Sequence, residues 1–372
     1  MTTWPTAEFS EALADVSAGN LKTPQSEYLT EGPLPVVDQG KSLIAGYTDI
    51  EEQSYQGDLP VIVFGDHTRA VKFVDFPFSM GADGTKVLQP RGGWVPRYLY
   101  HFLRTARIPN AGYSRHFKFL KELRVPRPPV EQQERIAAIL DRADELVALR
   151  EESILRLQTV RQTILAQYMW QGKNDPRGWQ QIPLSRLVVA GDSITYGVVQ
   201  PGPDVAQGIP MIRAGDLHYG LIRADNLKRV SPEVEAPYRR SRIQGNEILI
   251  SCAGTIGRIA VADERSRGFN INRAVARVPV GRDDLRHFVA AQLATPALQR
   301  YFAREARTVA QPTLNIREIA AAPIILPPEP IVSQFFEADL RVIHKHKRLA
   351  NERGMLQLLR SSLQGKAFSG SL

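Results

Sequence analysis

Acidic residues and histidines stand at spacings that invite a search for catalytic chemistry. His344 and His346 lie two residues apart in HKHK. That spacing sets the two rings on different faces of a helix, so a solvated basic face explains them better than a metal site does. Asp66 and His67 resemble half of a catalytic triad, but no G-x-S-x-G nucleophile motif accompanies them. These pairs predict neither a metal centre nor a hydrolase.

Glycine-rich and Asn-Asp-Pro stretches also lack the spacing that their chemistry needs. GADGTK at Gly81 does not match G-x-x-x-x-G-K-[ST] and is interpreted as a turn between strands. GTIG at Gly254 is too short for a dinucleotide fingerprint. An Asn or Asp followed by Pro-Pro and an aromatic residue, the pocket motif of amino-methyltransferases, is absent, and NDPRGW at Asn174 is interpreted as a linker turn. A stand-alone nuclease or methyltransferase is therefore disfavoured.

The charge of the chain points instead to a polyanionic partner. The 372 residues carry a formal net charge of +8, and the pI is near 9.6. Clustered Lys and Arg gain affinity by releasing counterions from phosphates. Because many basic proteins bind no nucleic acid, charge alone does not decide the matter.

The compartment is predicted from what the sequence lacks. Cys252 is the single cysteine and cannot form an internal disulfide, which fits a reducing environment. The sequence has no apolar run of about eighteen residues and no signal-peptide pattern at its first residues. We expect a cytoplasmic protein.

Loop residues with donor side chains are the ones that could read such a partner. Arg can form two hydrogen bonds with guanine, and Asn or Gln can do so with adenine. In the first half of the chain the candidate DNA-binding residues are His67, Thr68, Arg69, the phosphate-contacting Lys72 and Lys86, Tyr113, Arg115 and His116. In the second half they are Arg213, His218, Thr255, Arg258, Asn270, Asn272, Arg273, Gln311 and Thr313. A loop Arg is more often solvated than base-specific, and the Asn residues of FNINRA could bond neighbouring backbone, so we expect only some to contact DNA.

A long helix is the clearest element that could position these loops. From Ile136 to Met169 apolar residues recur mostly in steps of three and four, without Gly or Pro, which is typical of a helix packed on another helix. Pro128 and Pro129 lie just before it. Roughly forty residues at about 1.5 Å each make a rod of about 60 Å. Such a helix cannot bury its stripe alone, so a second one is predicted.

The second long helix lies near the C-terminus and repeats the order of the first. Aligning the pair Pro128-Pro129 with Pro327-Pro328 gives an offset of 199 residues, which pairs Ile136 with Phe335 without a gap. Upstream, LPVIVFGDHTRAVKFVD and EILISCAGTIGRIAVAD share a strand, a Gly-bearing loop and a second strand. The pattern predicts an internal duplication in which each half is an α+β part followed by a long helix.

These motifs carry a resemblance to a known family. VPRPPVEQQERIAAIL resembles the segment that opens each long helix in the DNA specificity subunits of type I restriction-modification systems, and SSLQGKAFSGSL resembles the end of their second helix. GDHTRAVKFVDFPFSMGADGTKVLQP and ISCAGTIGRIAVADERSRGFNINRAVARV resemble the hairpins of the two target recognition domains. The resemblance covers Trp4 to Leu372. One departure is EPIVSQFF, which lacks the paired Gln of VEQQERIA.

The resemblance implies an architecture. The expected fold class is α+β, with two target recognition domains of mixed α/β structure separated by an antiparallel two-helix coiled coil in a pseudo-twofold internal repeat. The expected bounds are 1–128 for the first recognition domain, 129–172 for the first spacer helix, 176–327 for the second recognition domain and 328–368 for the second spacer helix.

The resemblance also implies a function without catalysis in this chain. The two domains would read the halves of a split, asymmetric double-stranded DNA target, and the helices would set the gap. The implied partners are two methyltransferase subunits, which bind S-adenosylmethionine, and motor-endonuclease subunits, which bind ATP and magnesium. The alternative is a helical spacer that joins two protein-binding domains, with its basic charge incidental.

Overall fold

Two compact units make up the chain in the computed structural model. The structure describes residues 4–109, 115–169, 178–218, 220–306 and 312–372. One unit comprises Met1–Ala148 and Gly354–Leu372, and the other comprises Leu149–Arg353. Each unit holds a segment of both long helices, α4 (Val130–Met169) and α9 (Glu329–Ser369).

The first unit alternates short strands and short helices before α4 begins. Its strands are β1 (Thr6–Glu8), β2 (Leu13–Asp15), β3 (Lys22–Thr23), β4 (Leu34–Val37), β5 (Gly46–Thr48), β6 (Val61–Gly65), β7 (Val71–Val74), β8 (Ser79–Gly81), β9 (Thr85–Pro90) and β10 (Arg124–Pro126). Its short helices are α1 (Phe9–Ala12), α2 (Pro96–Thr105) and α3 (Phe117–Lys121).

The strands of the first unit form three sheets. β1 pairs antiparallel with β10, and an antiparallel sheet has the order β2-β9-β6-β7. A further sheet has the order β3-β8-β4-β5, in which β8 runs parallel to both neighbours. Strand β6, with the sequence VIVFG, is buried at every position. A run rich in β-branched residues suits a strand that is covered on both faces.

One apolar core joins two of the three sheets of the first unit to its helix segments. Ile136 of α4 is buried in the same cluster as Tyr98 of α2 and Ala367 of α9. Farther along α4, Asp144 accepts a hydrogen bond from Arg360 of α9 at 3.0 Å. As α4 advances, its contacts on α9 move toward lower residue numbers, so the two segments run antiparallel within this unit.

A buried glutamine fixes the joint at which α4 begins. Gln133 is 1% exposed. Its Oε1 accepts from the Val95 amide at 2.9 Å, and its Nε2 donates to the Pro128 carbonyl at 3.0 Å. Pro129 lies just before the first helical residue, where its missing N–H leaves no bond unmade. One glutamine of the EQQ stretch therefore clamps the helix to the residues that precede it.

The second unit has its own set of short elements. Its strands are β11 (Gln180–Pro183), β12 (Thr195–Tyr196), β13 (Ile209–Ile212), β14 (Leu217–His218), β15 (Leu221–Ile222), β16 (Lys228–Val230), β17 (Glu247–Ser251), β18 (Ile259–Val261), β19 (Asn270–Ile271), β20 (Val275–Pro279) and β21 (Pro323–Leu326). Its short helices are α5 (Pro232–Glu235), α6 (Asp283–Leu293), α7 (Pro296–Glu305) and α8 (Ile316–Ala320).

The sheets of the second unit correspond to those of the first. β11 pairs antiparallel with β21, as β1 does with β10. The antiparallel order β12-β20-β17-β18 matches β2-β9-β6-β7. The third sheet, β16-β13-β19, also contains a parallel pair, and β14 and β15 form a separate hairpin. The predicted internal repeat is confirmed at the level of strand order.

The helix segments of the second unit are joined by ion pairs. Arg150 of α4 lies 3.0 Å from Glu352 of α9, and Arg161 lies 2.7 Å from Asp339. These pairs move in opposite directions along the two helices, so the segments are antiparallel here as well. Val332, which occupies the position of Gln133 in the repeat, is 2% exposed and lies in an apolar cluster.

The segment that leads into α9 is bonded by the side-chain amide of Gln292 instead of one at the position equivalent to Gln133. Gln292 of α6 donates to the Ile325 carbonyl at 2.8 Å and accepts from the Ile325 amide at 3.1 Å. The departure in EPIVSQFF is therefore compensated from another helix.

The expected fold class is confirmed. Helices and strands are mixed in each unit, and α4 and α9 contain 40 and 41 residues. The four domain bounds of the sequence analysis stay predictions. Within the described residues, no helix is both long and apolar enough to span a membrane.

Candidate nucleic-acid interface

The loop between β6 and β7 presents three of the predicted residues at the surface. His67, Thr68 and Arg69 are exposed, whereas Asp66 before them is 3% exposed. The Asp66 carboxylate accepts from the Phe117 amide at 2.7 Å. A buried carboxylate thus anchors the loop, and the three residues that follow it are exposed.

A second loop supports this one through Gln39, a residue that the sequence analysis missed. Its Oε1 accepts from the His67 amide at 3.3 Å, and its carbonyl accepts from the Thr68 hydroxyl. Arg69 has φ of 61° and donates to the Ile108 carbonyl at 3.3 Å. The one sequence signal for Gln39 is its position just after a strand in VVDQGKS. That signal is too weak to identify a supporting residue.

The two predicted lysines differ in whether their ammonium group is enclosed by the protein or accessible to solvent. Lys72 is 5% exposed, and its Nζ donates to the Asp38 carbonyl at 2.7 Å. Burial lowers the pKa of Lys72, although Asp38 opposes that shift. Lys86 is half-buried, lies 3.1 Å from Asp15 and stays within reach of solvent. This placement favours an internal role for Lys72 and a phosphate contact for Lys86.

The segment before α3 also divides into internal and surface residues. His116 is 1% exposed, and its Nδ1 and its amide both lie 2.9 Å from the Asp66 carbonyl. Arg115 is exposed and lines a cleft together with Lys22 and Lys86. Tyr113 lies outside the described residues.

In the second unit, the loop between β17 and β18 occupies the place of the β6–β7 loop. Thr255 is exposed, and its carbonyl accepts from the Ser251 hydroxyl, while that hydroxyl accepts from the Arg258 amide at 2.8 Å. Gly257 has φ of 83°, and a Cβ there would lie 2.5 Å from a Gln299 oxygen. The left-handed backbone of this turn therefore favours glycine at position 257.

The FNINRA segment is divided between interior and surface. Asn270 is 0% exposed, and its amide donates to Glu235 at 2.8 Å while its oxygen accepts from Ser241 at 2.7 Å. Asn272 is half-buried and accepts from the Ala274 amide at 3.2 Å. Arg273 is exposed. Of the three, Arg273 has the surface placement that base contact needs.

Two further predicted residues border the same region of the second unit. The exposed Thr313 bridges to Ala253 in the β17–β18 loop. Arg213 is 44% exposed but forms a two-bond ion pair with Asp216 at 3.0 and 3.2 Å. The hydrogen bond with Asp216 raises the pKa of Arg213. Gln311 lies outside the described residues.

His218 lies in a different environment from the other candidates. It lines a cavity beside α4 and α9 together with Arg353 and His346. Burial, followed by the charge of Arg353, lowers its pKa. No group of three His, Cys, Asp or Glu that could hold a metal occurs within the described ranges.

Comparison with known proteins gives a consistent set of similarities. Residues 13–159 match a family described as "Type I restriction modification DNA specificity domain". The chain is 29% identical over 353 residues to the type I restriction enzyme EcoBI specificity subunit of Escherichia coli, covering 86% of this chain and 74% of that protein. It is also 36% identical over 75 residues, 19% of each chain, to the EcoR124I/EcoR124II specificity subunit of the same organism.

One solved structure shows the same fold at low identity. The S subunit of a type I restriction-modification system from M. genitalium superposes with a TM-score of 0.54 and 15% identity, covering 98% of this chain and 96% of that one.

Proposed function

We propose that this chain, which belongs to the type I restriction-modification DNA specificity family, reads a two-part, asymmetric DNA sequence with one surface in each unit. One observation carries the proposal. Corresponding strands of matching sheets bear the β6–β7 and β17–β18 loops. The exposed His67, Thr68 and Arg69 stand in the first loop, whereas the exposed Thr255 and the half-buried Arg258 stand in the second. Donors of different geometry select different bases.

Contacts to bases and contacts to phosphates would both contribute to DNA binding. Exposed side chains in the two loops would meet base edges, while Lys86 and Arg115 would meet phosphates and set the register. Their charge makes affinity depend on salt. The lengths of α4 and α9 would set the gap between the two half-sites, as in a ruler.

The chain would bind DNA while partner subunits perform the chemistry in the cytoplasm. Methyl transfer with S-adenosylmethionine, and translocation and cleavage with ATP and magnesium, would belong to modification and restriction subunits. Support comes from the family and from the sequence, which contains none of the nucleotide-binding or methyltransferase motifs considered above.

A surface on α9 suits the docking of a modification subunit. Met355, Leu358 and Leu359 are 67%, 75% and 53% exposed in the first unit. Their spacing sets them on one face of the helix. An apolar helical stripe of this kind is suited to packing against a helix of another protein.

A binding experiment with the modification subunit tests the proposed function. Methylated positions in host DNA, mapped with and without this chain, identify the target. The complex is then titrated with a duplex that holds this target and with random duplex at about 0.15 M salt. We expect binding to the target to be tighter by about a thousandfold or more. Equal affinity for both duplexes would reject DNA reading and favour the scaffold alternative.

A further inference from the structure

A basic cavity opens within the second unit. It lies between the β14–β15 hairpin and the segments of α4 and α9 in that unit. Ile154, Arg223 and Arg353 contribute to its walls, and its volume is about 170 Å³. One water needs about 10–15 Å³ by the same kind of measure, so a larger polar group has room. The cavity continues past His346 toward Arg161.

Some of the charges in the cavity wall are already neutralised. Asp263 holds Arg265 at 2.9 Å and Lys347 at 3.2 Å. Arg223 is exposed and forms no ion pair within the described ranges. Its guanidinium is therefore available for an anion that enters the cavity.

Arg353 is the strongest indication that the cavity suits an anion. The residue is 8% exposed, and its Nη1 lies 3.4 Å from Glu151, which is itself 41% exposed. The Nε–H of Arg353 is buried and finds no hydrogen-bond acceptor among the described residues. A buried donor without an acceptor is costly, and a charged one more so. The long contact with the exposed Glu151 therefore leaves the charge of Arg353 only partly matched within the cavity wall.

The histidines beside Arg353 show the same excess of positive charge. Burial and the neighbouring guanidiniums of Arg161 and Arg353 lower the pKa of His346 to about 4. Burial, followed by the charges of Arg353, Arg223 and Arg258, lowers the pKa of His218. Burial and the neighbouring guanidiniums therefore disfavour the protonated form of both rings.

We propose that this cavity binds a phosphate group, with Arg353 and Arg223 as its principal donors. Guanidinium presents paired N–H groups that match phosphate oxygens, and such charge-assisted bonds are stronger than neutral ones. The phosphate belongs either to the DNA backbone or to a small phosphate compound. This site goes beyond the proposed base reading and does not depend on it.

Equilibrium dialysis of the full-length chain against radiolabelled inorganic phosphate tests the site. We expect one saturable site per chain at constant ionic strength. Arg353→Gln should weaken binding by about ten- to hundredfold, the loss expected for one charged hydrogen bond. Arg223→Ser should weaken binding in the same direction, and because Arg223 is exposed this variant should fold.

Arg348→Gln is the matched control. Arg348 lies on the same helix, pairs with Glu352 at 2.9 Å and is 70% exposed, outside the cavity wall. Its substitution should leave phosphate binding unchanged. Absence of a saturable site, or equal binding by the Arg223→Ser and Arg348→Gln variants, would overturn the proposal.

A competition arm separates the two sources of phosphate. A short duplex of random sequence is added to the phosphate-bound chain. Displacement assigns the site to the DNA backbone, and the Arg223→Ser variant should then show a shallower salt dependence of DNA binding. Retention of phosphate assigns the site to a small phosphate compound. Both results support a phosphate site.

Discussion

Arg161 of α4 and Asp339 of α9 form a two-bond ion pair in the interior of the second unit. The Nε–Oδ1 and Nη2–Oδ2 distances are both 2.7 Å. Asp339 is 0% exposed and Arg161 is 15% exposed. The equivalent arginine of the repeat, Arg360, reaches Asp144 in the first unit. An arginine at the same place in each long helix therefore grips a carboxylate on the opposing helix segment.

Removing Asp339 should expose the cost of an unpaired buried charge. Asp339→Leu leaves the guanidinium of Arg161 without its partner, and we expect the free energy of unfolding to fall by about 3–5 kcal/mol. The double variant with Arg161→Leu should recover much of that loss, because no buried charge remains. Urea denaturation of the full chain measures both. As a control, Glu145→Ala breaks the exposed pair with Arg142 and should cost less than about 1 kcal/mol.

Acidification should destabilise the chain through His346. Its pKa is about 4 in the folded chain, against an ordinary 6.5. Because the folded pKa is depressed, the stability from the neutral ring is complete above pH 6.5 and falls as pH drops toward 4. The unfolded chain binds the proton first, so the slope reaches about 1.4 kcal/mol per pH unit.

Thermal melts between these pH values check the direction of the effect. His346→Gln should flatten the profile, although His287, whose pKa burial and Arg161 lower to about 3, contributes in the same sense. His344→Gln is the matched control, since His344 is exposed two residues away. Parallel melting profiles for His346→Gln and wild type would contradict this account.

Substituting a base-contacting residue should change sequence selectivity, whereas substituting a phosphate-contacting residue should change overall affinity and its salt dependence. Arg273→Ala removes an exposed guanidinium from the second unit. It should cost about 1–3 kcal/mol and relax the preference at positions of one half-site. Lys86→Ala should weaken binding to all sequences alike and reduce the salt slope by about one. Binding selections from randomised duplexes, repeated at several salt concentrations, distinguish the two. Loss of selectivity in both half-sites after Arg273→Ala would refute the assignment.

The exposed stripe on α9 should be needed for assembly and dispensable for folding. Leu358 is 75% exposed, so Leu358→Glu should leave the melting temperature of the isolated chain unchanged. It should weaken association with the modification subunit by about tenfold or more, as expected for a central apolar contact. Analytical ultracentrifugation measures the association. Gln357→Glu, which adds the same charge on a different face of α9, is the control, and equal effects of both substitutions would argue against the stripe.

Lengthening both long helices should change the spacing of the DNA target. An insertion of about seven residues in each helix keeps the apolar seam in phase and adds about 10 Å. That corresponds to about three base pairs at 3.4 Å each. We expect a wider gap with unchanged half-sites in the methylation map. A change in the half-site sequences would contradict the ruler hypothesis.

The long helices were predictable because their signal is local and periodic. Apolar steps of three and four from Ile136 onward and the paired prolines before each helix specify the elements without tertiary information. The repeat was readable for the same reason, since strand-loop-strand patterns survive where individual residues differ.

The interface was harder to predict because burial decides which loop residues face solvent. Asn270 and Arg273 stand three residues apart in FNINRA, yet one is enclosed by Glu235 and Ser241 and the other is exposed. Gln39 contacts His67 across 28 residues of sequence. No local pattern encodes such contacts, because they depend on how separate loops meet in the folded chain.

The clamp made by Gln133 bears on how recognition parts can be exchanged between relatives. Its side-chain amide, on the first turn of α4, bonds to the backbone of Val95 and Pro128. These hydrogen bonds therefore link the helix to the recognition part across the proline pair. A chimera joined at Pro129 would combine a foreign recognition domain with a Gln133 whose hydrogen-bond partners belonged to the original domain. A cut beyond Gln133 transfers the clamp together with its recognition domain. Such grafts should keep a fixed angle between the domain and the helix.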